Sequence, residues 1–105
     1  MSPIGCIKSI IEVRQTEEFS RWLRRLRDSN AVARIAARIR RVQLGNLGDS
    51  KSLGGGVMEM RIDYGPGYRI YYARHGMAFV ILLCAGDKRT QQRDIERARE
   101  LAERL

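Results

Sequence analysis

Glu59, Arg61, Asp63, Arg69 and Tyr71 are the residues whose types and spacing could do chemistry. The first three alternate with Met58, Met60, Ile62 and Tyr64, the period-two pattern of a half-buried strand. Gly65-Pro66-Gly67 breaks the chain, and Tyr68–Tyr72 leads back. A three-residue turn there would set Tyr64 opposite Tyr68. Ile62 then opposes Ile70, Met60 opposes Tyr72, Asp63 opposes Arg69, and Arg61 opposes Tyr71. One face of the hairpin is apolar or aromatic, while the other carries two arginines, two carboxylates and a tyrosine. On that second face Arg61 and Arg69 are diagonal neighbours within reach of one phosphate. Tyr71 stands where it could position a nucleobase or take part in proton transfer. The plainer reading is a polar surface on which Asp63 pairs with Arg69 and Glu59 with Arg61.

The elements that must position this hairpin can be read from periodicity. Ile10–Gln15 alternates as a first strand, preceded by residues 1–9 as a loose extension. Thr16 is placed as a helix N-cap, with Glu17 and Glu18 complementing the positive helix end. Phe19, Trp22, Leu23 and Leu26 then form an amphipathic stripe. Asp28-Ser29-Asn30 interrupts it, and a second helix runs from about Ala31 to Leu44. Val32, Ile35, Ala36, Ile39 and Val42 are its expected inner face, and Gly45 its end. Gly45–Gly56 reads as a flexible loop, its three consecutive glycines giving the chain freedom beside the sheet. Ala78–Ala85, apolar on both faces, marks a central strand covered by helices. Thr90–Leu105 forms the last helix, capped by Thr90, with Ile95, Ala98, Leu101, Ala102 and Leu105 turned inward. The expected architecture is a single α+β domain over residues 1–105. Its order is β-α-α-β-β-β-α, with a helical hairpin and a C-terminal helix packed on a small curved antiparallel sheet.

Bulk properties narrow the function class. The chain has 105 residues and a formal charge of +8, and seventeen of its twenty cationic side chains are arginine. Arginine offers planar paired donors suited to phosphate and carboxylate, so an anionic partner is expected, nucleic acid or an acidic protein. No apolar run is long enough to span a membrane. No glycine-rich phosphate loop is present, since GK[ST] does not follow Gly54–Gly56. Cys6 and Cys84 lack metal-ligand spacing, and Cys84 reads as a buried free thiol. These features fit a reduced, cytoplasmic setting with no metal or cofactor. The outer surface of the helical hairpin carries Arg21, Arg24, Arg25, Arg27, Arg34, Arg38, Arg40 and Arg41 against Asp28 alone. Such one-sided charge is repulsive along a helix, which favours a binding role over a merely solvated face. Arg24, Arg38 and Arg41, with Lys51 from the glycine-rich loop and Arg89, are the candidate RNA- or partner-binding residues. His75, beside Gly76, reads as a turn residue.

Three segments together resemble a known family: Glu59-x-Arg61, then GPGYRIYY (Gly65–Tyr72), then LLCAGDKRTQQRDIERA (Leu82–Ala98). They are similar to the RelE/ParE toxin superfamily, in its addiction-module killer, or HigB-like, branch, with the likeness running from about Ile10 to Leu105. The resemblance implies a RelE/ParE-like fold and the toxin half of a type II toxin–antitoxin pair. It implies a metal-independent, ribosome-dependent mRNA endoribonuclease silenced by a small helix-turn-helix antitoxin. It places Arg61, Arg69, Tyr71 and, at the end of the last strand, Lys88 at the catalytic positions. A C-terminal histidine or tyrosine acid, frequent in such toxins, is missing here, because no tyrosine follows Tyr72. A ParE-like inhibitor of DNA gyrase, acting by binding alone, is the alternative within the superfamily. A non-catalytic RNA-binding module is the third possibility.

Overall fold

In the computed structural model, residues 11–76 and 79–105 are described; the expected N-terminal extension, Cys6, Ile10 and Ala78 lie outside them. The elements are β1 (Glu12–Gln15), α1 (Glu17–Arg25), α2 (Ser29–Gln43), β2 (Ser50–Gly54), β3 (Val57–Ile62), β4 (Tyr68–His75), β5 (Phe79–Gly86) and α3 (Gln91–Glu103). A single 3₁₀ turn, Lys88–Thr90, joins β5 to α3. The five strands form one sheet in the order β1-β5-β4-β3-β2. The α+β class, the helical hairpin and the C-terminal helix agree with the sequence reading.

Two corrections concern the sheet. It is mixed rather than antiparallel, since β1 runs parallel to β5. The long connection between these two neighbours, through the helical hairpin and β2–β4, permits a parallel pairing that a short hairpin turn could not. The expected flexible loop contains a fifth strand, β2, antiparallel to β3. Gly54, Gly55 and Gly56 do not loosen the chain but turn it between these strands. All three have positive φ (86°, 63° and 83°), a region costly for any residue with a Cβ.

The helix ends follow local chemistry. The Thr16 side chain accepts the Phe19 N–H and donates to the Leu83 carbonyl, capping α1 and fastening it to β5. Asp28 caps α2 by accepting from Asn30 and Ala31. Gly45 closes α2 in a left-handed conformation, with the Asn46 N–H returning to the Arg41 carbonyl, a Schellman arrangement. Thr90 stands at the N-cap position of α3 but makes no side-chain cap bond there. Its hydroxyl instead accepts from the Asp87 N–H and donates to the Asp94 carboxylate.

The sheet is covered on both faces. On one face Phe19, Ile35 and Val42 pack against Met60, Ile62, Ile70, Tyr72, Val80 and Leu82. On the other, Ala98 and Leu101 of α3 cover Val57, Tyr71, Ala73, Leu83 and Cys84. Cys84 is a buried free thiol, as expected, and burial pushes its pKa up to about 12. Leu105 is an exception to the expected inner stripe of α3, being 56% exposed beyond the helix end. Ala36 of α2 likewise faces out, and Ala31 takes the buried place at the start of that helix.

Candidate functional site

The β3–β4 register differs from the expected one by two residues. Ile62 pairs with Tyr68, Met60 with Ile70, Glu59 with Tyr71, and Arg61 directly with Arg69. The connection therefore spans residues 63–67. Tyr64 leaves the strand because its hydroxyl donates to Asp28 at 2.9 Å and its ring lies under the Arg34 guanidinium. A shift of two preserves which side chains share a face, so Glu59, Arg61, Arg69 and Tyr71 stay together. Asp63 lies exposed outside the strand and does not pair with Arg69; the expected polar face loses one carboxylate.

Glu59 becomes the centre of the cluster. Like charges set directly across a strand pair repel, and Arg61 and Arg69 occupy such a pair. The Glu59 carboxylate offsets this from one step along β3, with Oε1 3.4 Å from Arg61 Nε and Oε2 3.7 Å from Arg69 Nε. Gln91, the first residue of α3, donates its side-chain N–H to Glu59 Oε2 at 2.8 Å. Glu59 is fully buried. Burial alone would raise its pKa, but Gln91, Arg61 and Arg69 together hold it below the usual carboxylate range. It is an ionised anchor screened from solvent.

The cations differ in access. Arg61 is 41% exposed, whereas the Arg69 side chain is only 12% exposed and donates to the Gly67 carbonyl at 3.0 Å. Lys88, exposed on the 3₁₀ turn, meets Arg69 across Gly67. A Cβ on Gly67 would sit 3.4 Å from Arg69 Nη1 and 3.7 Å from the Lys88 Cβ. Lys51 enters from the other side, because β2 pairs it with Glu59. Across the sheet one row thus reads Lys51, Glu59, Tyr71, Cys84, and the next reads Arg61, Arg69, Gly86. Lys51, Arg61, Arg69 and Lys88 form a basic rim around a buried carboxylate. Such a rim can hold a phosphate and stabilise charge that develops on it.

Tyr71 is placed differently from the expectation of a surface residue. It is fully buried beneath α3, and its hydroxyl lacks a well-formed hydrogen bond. Burial first, and then the Glu59 and Asp94 carboxylates, push its pKa far above the ordinary phenol value. It therefore stays protonated beside Glu59. His75 lies at the opposite end of β4 from Arg69 and stacks on Phe79.

The remaining candidates do not converge on this rim. Arg24 pairs with Glu17 at 3.1 Å on the outside of α1, and Arg89 pairs with Asp87 at 3.1 Å. Arg41 is exposed on α2. Arg38 is engaged within the fold, donating to the Arg61 carbonyl at 2.6 Å and lying against Gly48. Gln91 was missed in the sequence, although the repeat of Gln91, Asp94 and Ala98 along one helix face pointed inward.

Comparison with known proteins adds the family. The model of the phage-derived Gp49-like (DUF891) proteins matches residues 21–105. The chain belongs to the phage-derived Gp49-like family. A Haemophilus influenzae protein described as uncharacterized is 48% identical to this Gp49-like chain over 95 residues. The match covers 90% of this chain and 96% of the relative. The family match contains the whole of β2–β5 and α3, and with them Lys51, Arg61, Arg69 and Lys88. No helix among the described residues is long and apolar enough to cross a membrane.

Proposed function

We propose that this Gp49-like protein is the toxin of a type II toxin–antitoxin pair, of the HigB-like branch of the RelE/ParE superfamily. Its activity is cleavage of mRNA on the ribosome, in the cytoplasm. The observation that carries this reading is the pair Arg61–Arg69, held in direct opposition by buried Glu59 and flanked by Lys51 and Lys88. In the proposed reaction a ribose 2′-oxygen attacks the adjacent phosphorus as its proton passes to water, and the P–O5′ bond breaks as a proton from water passes to the 5′-oxygen, leaving a 2′,3′-cyclic phosphate and a 5′-hydroxyl. Arg61, the accessible guanidinium, stabilises the extra negative charge on the phosphorane. Lys51 and Lys88 orient the neighbouring phosphates. Arg69 and Glu59 act as positioning residues that fix the Arg61 guanidinium, and protonated Tyr71 keeps Glu59 in a pocket closed to water. Preorganised donors of this kind contribute roughly 10²–10³ each to a rate.

The partner that silences such a toxin is an antitoxin with an acidic or amphipathic segment that covers the rim. Arg61→Ala should abolish growth arrest on induction while the protein still folds and binds its antitoxin. Mapping RNA 5′ ends after induction should show new ends in mRNA with the wild-type chain and none with Arg61→Ala. The exposed arginines of α1 and α2 favour a second reading, a gyrase inhibitor acting through the hairpin. Toxicity that survives Arg61→Ala with Arg69→Ala but is lost on reversing the hairpin charges would establish that reading instead.

A further inference from the structure

β1 ends at Gln15, opposite Leu82, so the second half of β5 has no strand beside it on that edge. α1 passes along this edge and α3 lies over one face, and between them opens a crevice of about 410 Å³. Its size falls within the range of small-ligand sites, about 300–1,000 Å³. Trp22 and Ala85 give it an apolar wall, while Arg21, Arg25 and Arg93 stand around it. Trp22 is held in place by Tyr68, edge-on at 5.9 Å, and by Phe19 at 6.0 Å. Arg21 and Arg25 are one helical turn apart on α1, and Arg93 reaches in from α3.

Of the two acids nearby, Asp94 meets one of these arginines, Arg93, in a long ion pair, and Glu18 is taken up elsewhere. Glu18 gives both carboxylate oxygens to Arg97, with three hydrogen bonds of 2.7–3.0 Å. Asp94 is buried; its Oδ2 accepts from Thr90, and its Oδ1 stays 3.8 Å from Arg93 Nε. The crevice thus presents guanidinium donors around an immobilised indole, a combination suited to a phosphate and an attached base.

We propose that this crevice is a second nucleotide subsite, in which one base of a single-stranded RNA packs on Trp22 while Arg21, Arg25 and Arg93 take its phosphates. The proposal rests on RNA being the substrate of the basic rim. It gives the protein a grip on the strand away from the phosphate that is cut, on the α1 side of β5.

Trp22 is the single tryptophan of the chain, so its fluorescence reports on the crevice directly. The test uses the full chain carrying Arg61→Ala, to prevent cleavage, titrated with a short single-stranded RNA. Overall binding is read by anisotropy of end-labelled RNA, and crevice occupancy by Trp22 emission with unlabelled RNA. The expected result is a Trp22 change that saturates together with the anisotropy. Adding Arg25→Glu and Arg93→Glu, both exposed positions, should weaken binding about ten-fold or more and abolish the Trp22 response, with circular dichroism unchanged. Anisotropy that rises with no Trp22 change and no effect of the two reversals would overturn the subsite and leave the RNA reading standing. No RNA binding by either signal would overturn both. A Trp22 response to a glutamate-rich peptide but not to RNA would assign the crevice to an acidic protein partner and overturn the proposal.

Discussion

At the scale of single residues, Glu59 is the one on which the site depends most. In the sequence it read as one partner of a surface ion pair; in the fold it is a buried anion shared by two arginines and a glutamine. The sequence signal, Glu-x-Arg on one strand face, correctly identified the neighbours. It could not reveal the burial, which comes from α3 descending on that face. Glu59→Gln should leave the side-chain volume intact but set Arg61 and Arg69 against each other. A stability loss of about 1.5–3 kcal/mol is expected, the range for hydrogen bonds to charged groups, measurable by urea unfolding at neutral pH. The pH dependence has a definite sign. Because the folded state holds the Glu59 pKa below its unfolded value, near 4.3, its contribution is present above that value. It is lost as pH falls through the lower, folded value. The gap between wild type and Glu59→Gln should therefore be widest at neutral pH and close in acid. A gap that stayed constant down to strongly acidic pH would show that Glu59 does not act through its charge.

The elements show where sequence patterns carry structural information and where they do not. The helical hairpin, β3, β4, β5 and α3 were legible because each has an apolar period that matches its packing. β2 was not, because Ser50–Gly54 has no such period and lies at the sheet edge with most of its side chains exposed. Its pairing with β3 rather than its composition makes it a strand, and that pairing brings Lys51 beside Glu59. The hairpin register departs from the expected one for a similar reason. Asp28 and Arg34, distant in sequence, draw Tyr64 out of the strand and lengthen the turn. The basic surface of α2 likewise divides only once the fold is known. Arg38 donates to the carbonyl of Arg61 and fastens α2 to the end of β3, whereas Arg41 is exposed. Arg38→Ala should lower stability by about 1.5–3 kcal/mol, through a lost charged hydrogen bond and lost stem packing. Arg41→Ala should stay within about 0.5 kcal/mol of wild type. Thermal unfolding of the two variants separates a structural arginine from one free to meet a partner. Equal effects would contradict the assignment.

For the whole molecule, the excess of +8 matters through its distribution. Glu12, Glu17, Glu18, Glu59, Asp87 and Glu100 are all engaged with arginines of the same chain. Over the sheet face the single Glu59 carboxylate is shared by Arg61 and Arg69, so that pair keeps one positive charge in excess, which sets the field together with Lys51 and Lys88. A chain built this way should bind polyanions with an affinity that falls as counterions compete. For single-stranded RNA each neutralised phosphate contributes about −0.7 to the slope of log affinity against log salt. Contacts from Lys51, Arg61 and Lys88 therefore give a slope of about −2. Raising salt from 50 to 200 mM should then cost roughly twenty-fold in affinity. Each arginine of the α1–α3 crevice that reaches a phosphate steepens the slope by about 0.7 more. Anisotropy titrations over that salt range measure it directly. Arg61→Ala should make the slope shallower by one contact, while Glu59→Gln, which alters no group facing solvent, should weaken binding with little change in slope. A wild-type slope shallower than about −1 would mean that fewer than two phosphates are held, too few for the sheet-face cations to act together on one strand.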